Sequence, residues 1–395
     1  MFSNEQKEEV IKLTRELISH PSNSGQEEGV AKALEAFMKA QGWDEVRIDR
    51  YGSVIGTIRG KKPGPALLFD GHIDTVPVPD ASVWTHDPYA GEVADGKIYG
   101  RGASDMKGAV AAMACAASNF ARAVDRDFAG SVHVAGVVYE ELFEGVAARE
   151  ISAVVKPDVV VIGEASELNL KIGQRGRAEV VLETQGVPAH SANPEKGVNA
   201  VHSMMGFVAE VEKIVPDEQP VLGKGVSVLT DIISTPYPGA SVVPSGCRAT
   251  YDRRLLVGET PDAVIAPYRA AAARAGEANP QFKGGASYAR GRETCYTGAV
   301  IEGERFFPGW LYDMKEDFLQ KSLAGLKSMG LSPEISHYSF CTNGSHYAGE
   351  AGIKTLGFGP SRENLAHTID EHIEIDQLHK AMAGYFGIMK ALLGG

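Results

Sequence analysis

The chain has 395 residues, with 39 Lys+Arg against 51 Asp+Glu and a formal net charge of −12. At roughly 150 residues per domain this length suggests two or three domains. A hydrophobic share of 44% and a charged share of 23% exclude disorder, collagen and coiled coil. An acidic chain without a Lys/Arg-rich stripe is a poor partner for nucleic acid or for a membrane surface, since both are polyanions. Cys115, Cys247, Cys295 and Cys341 show no paired spacing, which points away from a disulfide framework or a cysteine zinc site and toward a reducing, cytoplasmic setting.

The first 20 residues mix charged and apolar residues at helical spacing, with Val10, Ile11, Leu13, Leu17 and Ile18 on one face, unlike a secretory leader. No apolar run approaches the roughly 20 residues needed to span a bilayer. An Ala/Glu/Lys-rich helix is predicted at 26–41, strands at 53–58 and 66–69, an Ala-rich helix at 106–124, and strands at 132–139 and 159–162. Such alternation, with strands that are nearly continuous apolar runs, predicts an α/β fold with a largely parallel sheet and helices on both faces. Strands at 177–184, 226–234 and 247–256 and helices at 198–214 and 261–275 then carry alternating Arg, Glu and Thr, the pattern of an inserted α+β domain with one wet sheet face. A helix at 313–329, a strand at 354–358, a loop at 360–370 and a closing helix at 375–393 return to the first domain. The expected organisation is therefore a first domain split into 1–171 and 294–395 by an insertion at 172–293.

One regularity carries chemistry. Strand 66–69 runs into Asp70-Gly71-His72-Ile73-Asp74, strand 132–139 into Glu140-Glu141, and strand 159–162 into Gly163-Glu164. Open α/β sheets bind ligands beyond the carboxyl ends of their strands. Imidazole with carboxylate and no thiolate suits zinc or another divalent first-row metal. Crowded carboxylates repel one another unless protonated or neutralised by cations. Two metals about 3.5–4 Å apart, sharing a carboxylate, would neutralise them and activate a water. Asp105, in the Gly-rich turn 100–105 ahead of a helix, is the expected bridge. Asp74 is expected to accept the second imidazole N–H of His72. Adjacent strand residues point oppositely, so Glu140 and Glu141 reach one site only where the strand ends, one as ligand and one as general base. His367, from the loop 360–370, would be the last ligand. Taken singly, Asp105 reads as well as a helix N-cap, Glu140-Glu141 as a solvated loop, His367 as a surface histidine and Asp74 as a turn former. None of these readings explains why ligand types gather at neighbouring strand ends. There is no G-x-G-x-x-G, P-loop, H-E-x-x-H or G-x-S-x-G, so a nicotinamide oxidoreductase on the same sheet lacks its fingerprint.

Gly71-His72-Ile73-Asp74-Thr75-Val76-Pro77, residues 100–108, Glu140-Glu141, Gly163-Glu164-Ala165-Ser166, Pro188-Ala189-His190-Ser191-Ala192 and Asn364-Leu365-Ala366-His367-Thr368 together resemble the dinuclear zinc aminoacylase/carboxypeptidase family. That family also contains succinyl-diaminopimelate desuccinylase and acetylornithine deacetylase. Residues 240–260 and 337–371 more narrowly resemble its selenium-metabolism-linked hydrolase subgroup. The resemblance implies two zinc ions per chain, with Co2+ or Mn2+ as substitutes. His72 and Glu164 would hold one, Glu141 and His367 the other, with Asp105 bridging. It implies that Asp74 orients His72 and that Glu140 is the general base. His190 would stabilise the oxyanion, in related enzymes across a dimer interface, and Arg254 would grip a substrate carboxylate. The insertion would be a lid and dimerisation domain, and the protein a homodimer. His190 reads also as a turn cap and Arg254 as a strand-surface charge.

Two departures stand out. Related enzymes often carry Asn where this chain has Ser241, and Asp near His346. Asn343 and His346 are therefore candidate substrate contacts, His346 reading equally as a structural loop histidine. The implied reaction is hydrolysis, by metal-activated water, of the amide C–N bond of a small N-acyl amino acid or dipeptide with a free carboxylate. The alternative is a ureido (N-carbamoyl) amino acid. A catalytically silent metal-binding scaffold is the rival from another class, and the chemical competence of every proposed position counts against it.

Overall fold

Four strands of near-continuous apolar sequence, Ala129–Val137, Lys62–His72, Val159–Ile162 and Lys354–Gly357, lie side by side and parallel in the computed structural model, which describes residues 2–394. Their side chains Leu67, Leu68, Phe69, Val132, Val134, Val160, Val161 and Leu356 are buried, each contributing about 1.5–3 kcal/mol by leaving water. They form the centre of a large mixed sheet. Outward from Ala129–Val137 the strands Val54–Arg59 and Glu45–Ile48 pair antiparallel. On the other side Leu170–Gln174 meets Lys354–Gly357 antiparallel and Ile335–Tyr338 in parallel. The four central strands are parallel and mostly antiparallel pairs flank them, a mixed sheet within the α/β class expected from the sequence. The antiparallel edge strand Glu45–Ile48 is short and at most half-buried, which removes the apolar signature of a central strand.

Helices cover this sheet. Asn4–Ile18 starts on a capping box between Ser3 and Gln6 and buries Val10, Leu13 and Leu17. Gly108–Ala123 is buried from Gly108 to Ala121 and packs against Ile375–Leu393 and Asn4–Ile18. Small residues let it come close: a Cβ on Gly163 would stand 1.8 Å from Met113 Cε. Because the four central strands run the same way, their carboxyl ends emerge along one edge, and the residues following each of them share that edge.

These elements form one compact unit, comprising the chain up to Gln174, Arg292–Glu302 and everything from Leu311 on. A second unit holds Arg175–Gly291 and Gly303–Trp310. Its antiparallel sheet runs in the order Val226–Thr235, Gly246–Leu255, Gly176–Gln185, Gly284–Tyr288. The helices Ala200–Val211 and Pro261–Ala278 bury Val180, Leu182, Ala249 and Tyr251 together with Met204, Phe207 and Tyr268. Arg177, Glu179, Asp252 and Arg254 alternate with those core positions and pair with one another, as a one-sided sheet requires. Among the described residues no helix is long and apolar enough to cross a membrane, and all four cysteines are free and buried.

Candidate metal centre

At the carboxyl edge of the large sheet the strand Lys62–His72 ends on His72, whose ring is 1% exposed. Its Nε2 lies 2.8 Å from Asp105 Oδ1 and 3.5 Å from Glu164 Oε1. His367 Nε2 lies 3.1 Å from the other oxygen of Asp105 and 3.2 Å from Glu141 Oε2. Asp105 therefore faces both imidazoles, one through each oxygen. Two sets of side chains bring their ligand atoms within 4.8 Å of one another: His72 with Glu140 and Glu164, and His72 with Asp105 and Glu141. The structure thus brings together all five residues expected as ligands, with Glu140 among them. Glu140 and Glu141 share the site because the strand stops at Val137 and the chain turns through Tyr139 at φ +59°. Asp105 does not cap the following helix, which starts at Gly108 without a side-chain cap.

Asp74 takes a different part from the one expected. The strand ends at His72, so its alternation does not reach residue 74. The Nδ1–H of His72 donates to the Asp74 backbone carbonyl at 2.9 Å, while the Asp74 carboxylate stands 3.7 Å away. That carboxylate instead accepts the backbone N–H groups of Glu140 (3.0 Å) and Glu141 (3.2 Å) and the Ser24 hydroxyl (2.7 Å). Asp74 thus orients His72 through its main chain and the two glutamates through its side chain. Buried Glu27, which sequence spacing does not reveal, accepts the N–H of Tyr139 one residue earlier.

Asn343 and His346 do not stand free to meet a substrate. Asn343 donates to Asp70 Oδ1 (2.9 Å) and accepts from Gly145 N (2.8 Å). His346 has Ser152 Oγ at 2.6 Å from Nε2 and Glu350 at 2.8 Å from Nδ1. Both ring nitrogens have protein partners, and His346 sits in the helical turn Ser345–Glu350 rather than in a loop. Asp70, which also accepts from the Tyr347 hydroxyl at 2.8 Å, ties this segment to the end of the His72 strand. In the second unit, His190 is exposed and its Nδ1 accepts from Ala192 N at 3.0 Å, which caps a turn and leaves Nε2–H as the donor of the neutral ring. Arg254 Nε pairs with Asp252 at 3.1 Å.

The electrostatics ask for cations. Among the described residues no Lys or Arg pairs with Asp105, Glu140, Glu141 or Glu164, and Glu140 Oε1 is buried without a hydrogen-bond partner. Burial pushes the Glu140 carboxyl well up, and Glu164, Glu144 and Glu141 add to it. Burial likewise pushes Glu164 to about 8, with Asp105 and Glu141 contributing. Against the cost of burial, hydrogen bonds from His367 and His72 hold Asp105 below the usual carboxylate range. Hydrogen bonds to Asp105 and Glu141 raise His367 to about 10. Protons shared among crowded carboxylates and imidazoles are what divalent cations replace, and the donor set, two imidazoles with carboxylates and an orphaned carboxylate oxygen, fits them.

A consequence can be measured. His367 carries its proton below about pH 10 and Glu164 its own below about pH 8 in the metal-free protein. Ligands bind metal deprotonated, so loading releases protons, and affinity rises with pH by up to about tenfold per unit for each proton released. Calorimetric titration near pH 7 in buffers of different ionisation enthalpy is expected to show at least one proton released; a buffer-independent heat would contradict this.

Ligand residues clustered at the carboxyl ends of parallel strands, around a carboxylate shared by two histidines, define a metal-dependent hydrolase. Residues 68–391 match the peptidase family M20/M25/M40, and the chain belongs to that family, whose enzymes depend on a dinuclear metal centre. The uncharacterized protein YgeY of Escherichia coli K12 is 32% identical over 391 residues, covering 96% of this chain and 93% of YgeY. Succinyl-diaminopimelate desuccinylase 2 of Ruegeria sp. TM1040 is 27% identical over 402 residues, covering 97% and 95%. The M20 family metallo-carboxypeptidase Sso-CP2 of Sulfolobus solfataricus shares the fold with a TM-score of 0.75 at 17% identity, covering 97% of this chain and 99% of the other.

Proposed function

We propose that the protein hydrolyses the amide C–N bond of a small N-acyl amino acid or dipeptide bearing a free carboxylate, with zinc as its metal. The observation that carries this is the convergence of His72, Asp105, Glu141, Glu164 and His367 beside a glutamate, Glu140, whose Oε1 is buried and unpartnered. His72 and Glu164 would hold one ion, Glu141 and His367 the other, and Asp105 both. Bound there, divalent cations polarise a carbonyl and bring the pKa of a water toward about 7. Glu140 receives that water's proton at Oε1 and delivers it to the leaving nitrogen. Asp74 keeps Glu140 in place through its backbone N–H. His190 offers Nε2–H to the developing oxyanion, since its Nδ1 is already used as an acceptor. Arg254 offers its terminal nitrogens to the substrate carboxylate while its Nε rests on Asp252.

The reading extends to assembly and setting. The edge strand Val226–Thr235 leaves Val228, Ile232 and Ile233 about half exposed, which supports a homodimer formed through the second unit, the lid and dimerisation domain of the family resemblance. Four reduced, buried cysteines support a cytoplasmic setting. Within the family, the resemblance of residues 240–260 and 337–371 supports a place in the selenium-metabolism-linked subgroup. The test is a hydrolysis screen of the zinc-loaded protein over N-acyl amino acids, dipeptides and N-carbamoyl amino acids. Free acid and amino acid, or two amino acids, are expected as products. Ammonia released from the ureido set alone would shift the reading to that chemistry, and no turnover of any set would overturn it.

A further inference from the structure

Three of the five ligand positions lie at or within four residues of the ends of sheet strands, but Asp105 and His367 both stand away from the sheet. His367 is half exposed at φ +62°, and its Nε2 pairs with Asp105 and Glu141. What fixes one loop against the other lies on either side of His367. Before it, the Ser361 and Ser104 hydroxyls are 2.7 Å apart. After it, Glu371 is fully buried and closes on the whole Asp105 turn. Its Oε1 accepts Ser104 N (2.9 Å) and Asp105 N (3.0 Å), its Oε2 accepts Arg101 Nη1 (2.5 Å), and its backbone carbonyl accepts Gly100 N (2.8 Å). Arg101, itself buried, supplies the balancing charge and lies over the Trp84 ring at 5.2 Å.

We propose that Glu371 is the positioning residue for the Asp105–His367 pair, holding the shared carboxylate at ligand distance from the imidazole four residues upstream of it. The inference rests on the metal reading above. Because the backbone amide of Asp105 is itself one of the donors to Glu371, the main chain that carries the shared carboxylate cannot move away from the His367 loop without breaking a buried, charge-assisted bond. Partners of this kind behind metal ligands change metal affinity by about 10–100-fold when removed. The loss should fall mainly on the ion held by His367, because His72 and Glu164, which would hold the other ion, stand at the ends of buried strands.

The test is titration of the metal-free protein with Co2+, followed by visible absorption, on the unmodified chain, Glu371→Gln and Arg101→Lys. The glutamine keeps an acceptor for Ser104 and Asp105 but sets an amide NH2 against the Arg101 guanidinium. Two Co2+ per unmodified chain are expected, with the second binding about 10–100-fold more weakly in Glu371→Gln, its ligand-field bands altered, and the first nearly unchanged. Arg101→Lys should shift the second site the same way by less, and carries the test if the glutamine variant does not fold. A purely structural role would lower the melting midpoint and leave both Co2+ affinities and spectra of the folded variants as in the parent, and that result overturns the proposal. Fewer than two Co2+ on the unmodified chain would instead bring down the metal reading beneath it.

Discussion

A Glu140→Gln enzyme is expected to keep both metals and lose about 10²–10⁴-fold in kcat, the usual contribution of a positioned general base. The substitution is close to isosteric, and the backbone N–H of residue 140 still donates to Asp74, so the local geometry should survive. What it removes is the ability of Oε1 to take a proton. That atom is buried with no partner, a costly state that a water and its proton would relieve. The variant also separates two roles the geometry allows, because a Glu140 carboxylate oxygen lies within 4.8 Å of ligand atoms of His72 and Glu164. If metal content falls together with activity, Glu140 is a ligand. If metals and full activity both persist, it is neither base nor ligand.

Replacing Asp105 with alanine should be the most damaging change at the site. Each of its oxygens faces one histidine, at 2.8 Å and 3.1 Å, so a single truncation removes a donor from both ion positions. Metal content is expected to fall to one equivalent or less. Activity should fall on the order of 10³-fold or more, the equivalent of losing several kcal/mol of metal-derived transition-state stabilisation. The proton on His367 should also loosen, because its hydrogen bond to Asp105 is the largest cause of its raised pKa. Nuclear magnetic resonance titration of His367 in the metal-free variant would record that shift toward the ordinary value, whereas an unchanged titration would show that Asp105 does not govern the site.

The parts of this centre legible in the sequence are those where an apolar strand runs straight into a ligand. His72 and Glu164 follow such strands directly, and Glu140-Glu141 follow one by a short turn, because a buried parallel strand is a continuous apolar run whose end position is visible. The edge strands were not legible, since Glu45–Ile48 is short and half-polar. The part played by the Asp74 carboxylate is not legible because the strand ends at His72, and three donors, from residues 24, 140 and 141, claim it. Asn343 and His346 looked available because their partners, Asp70, Gly145, Ser152 and Glu350, are brought up by tertiary structure. The clamp formed by Glu371 has no spacing signature at all: its donors lie on a turn far away in the chain.

The most direct test of the account is to count the metal. Metal-free protein titrated with Zn2+ and analysed by equilibrium dialysis with elemental analysis should bind two equivalents per chain, and alanine at Asp105 should abolish at least one of them. Saturation at one equivalent or none in the unmodified protein would contradict a paired centre built around a shared aspartate.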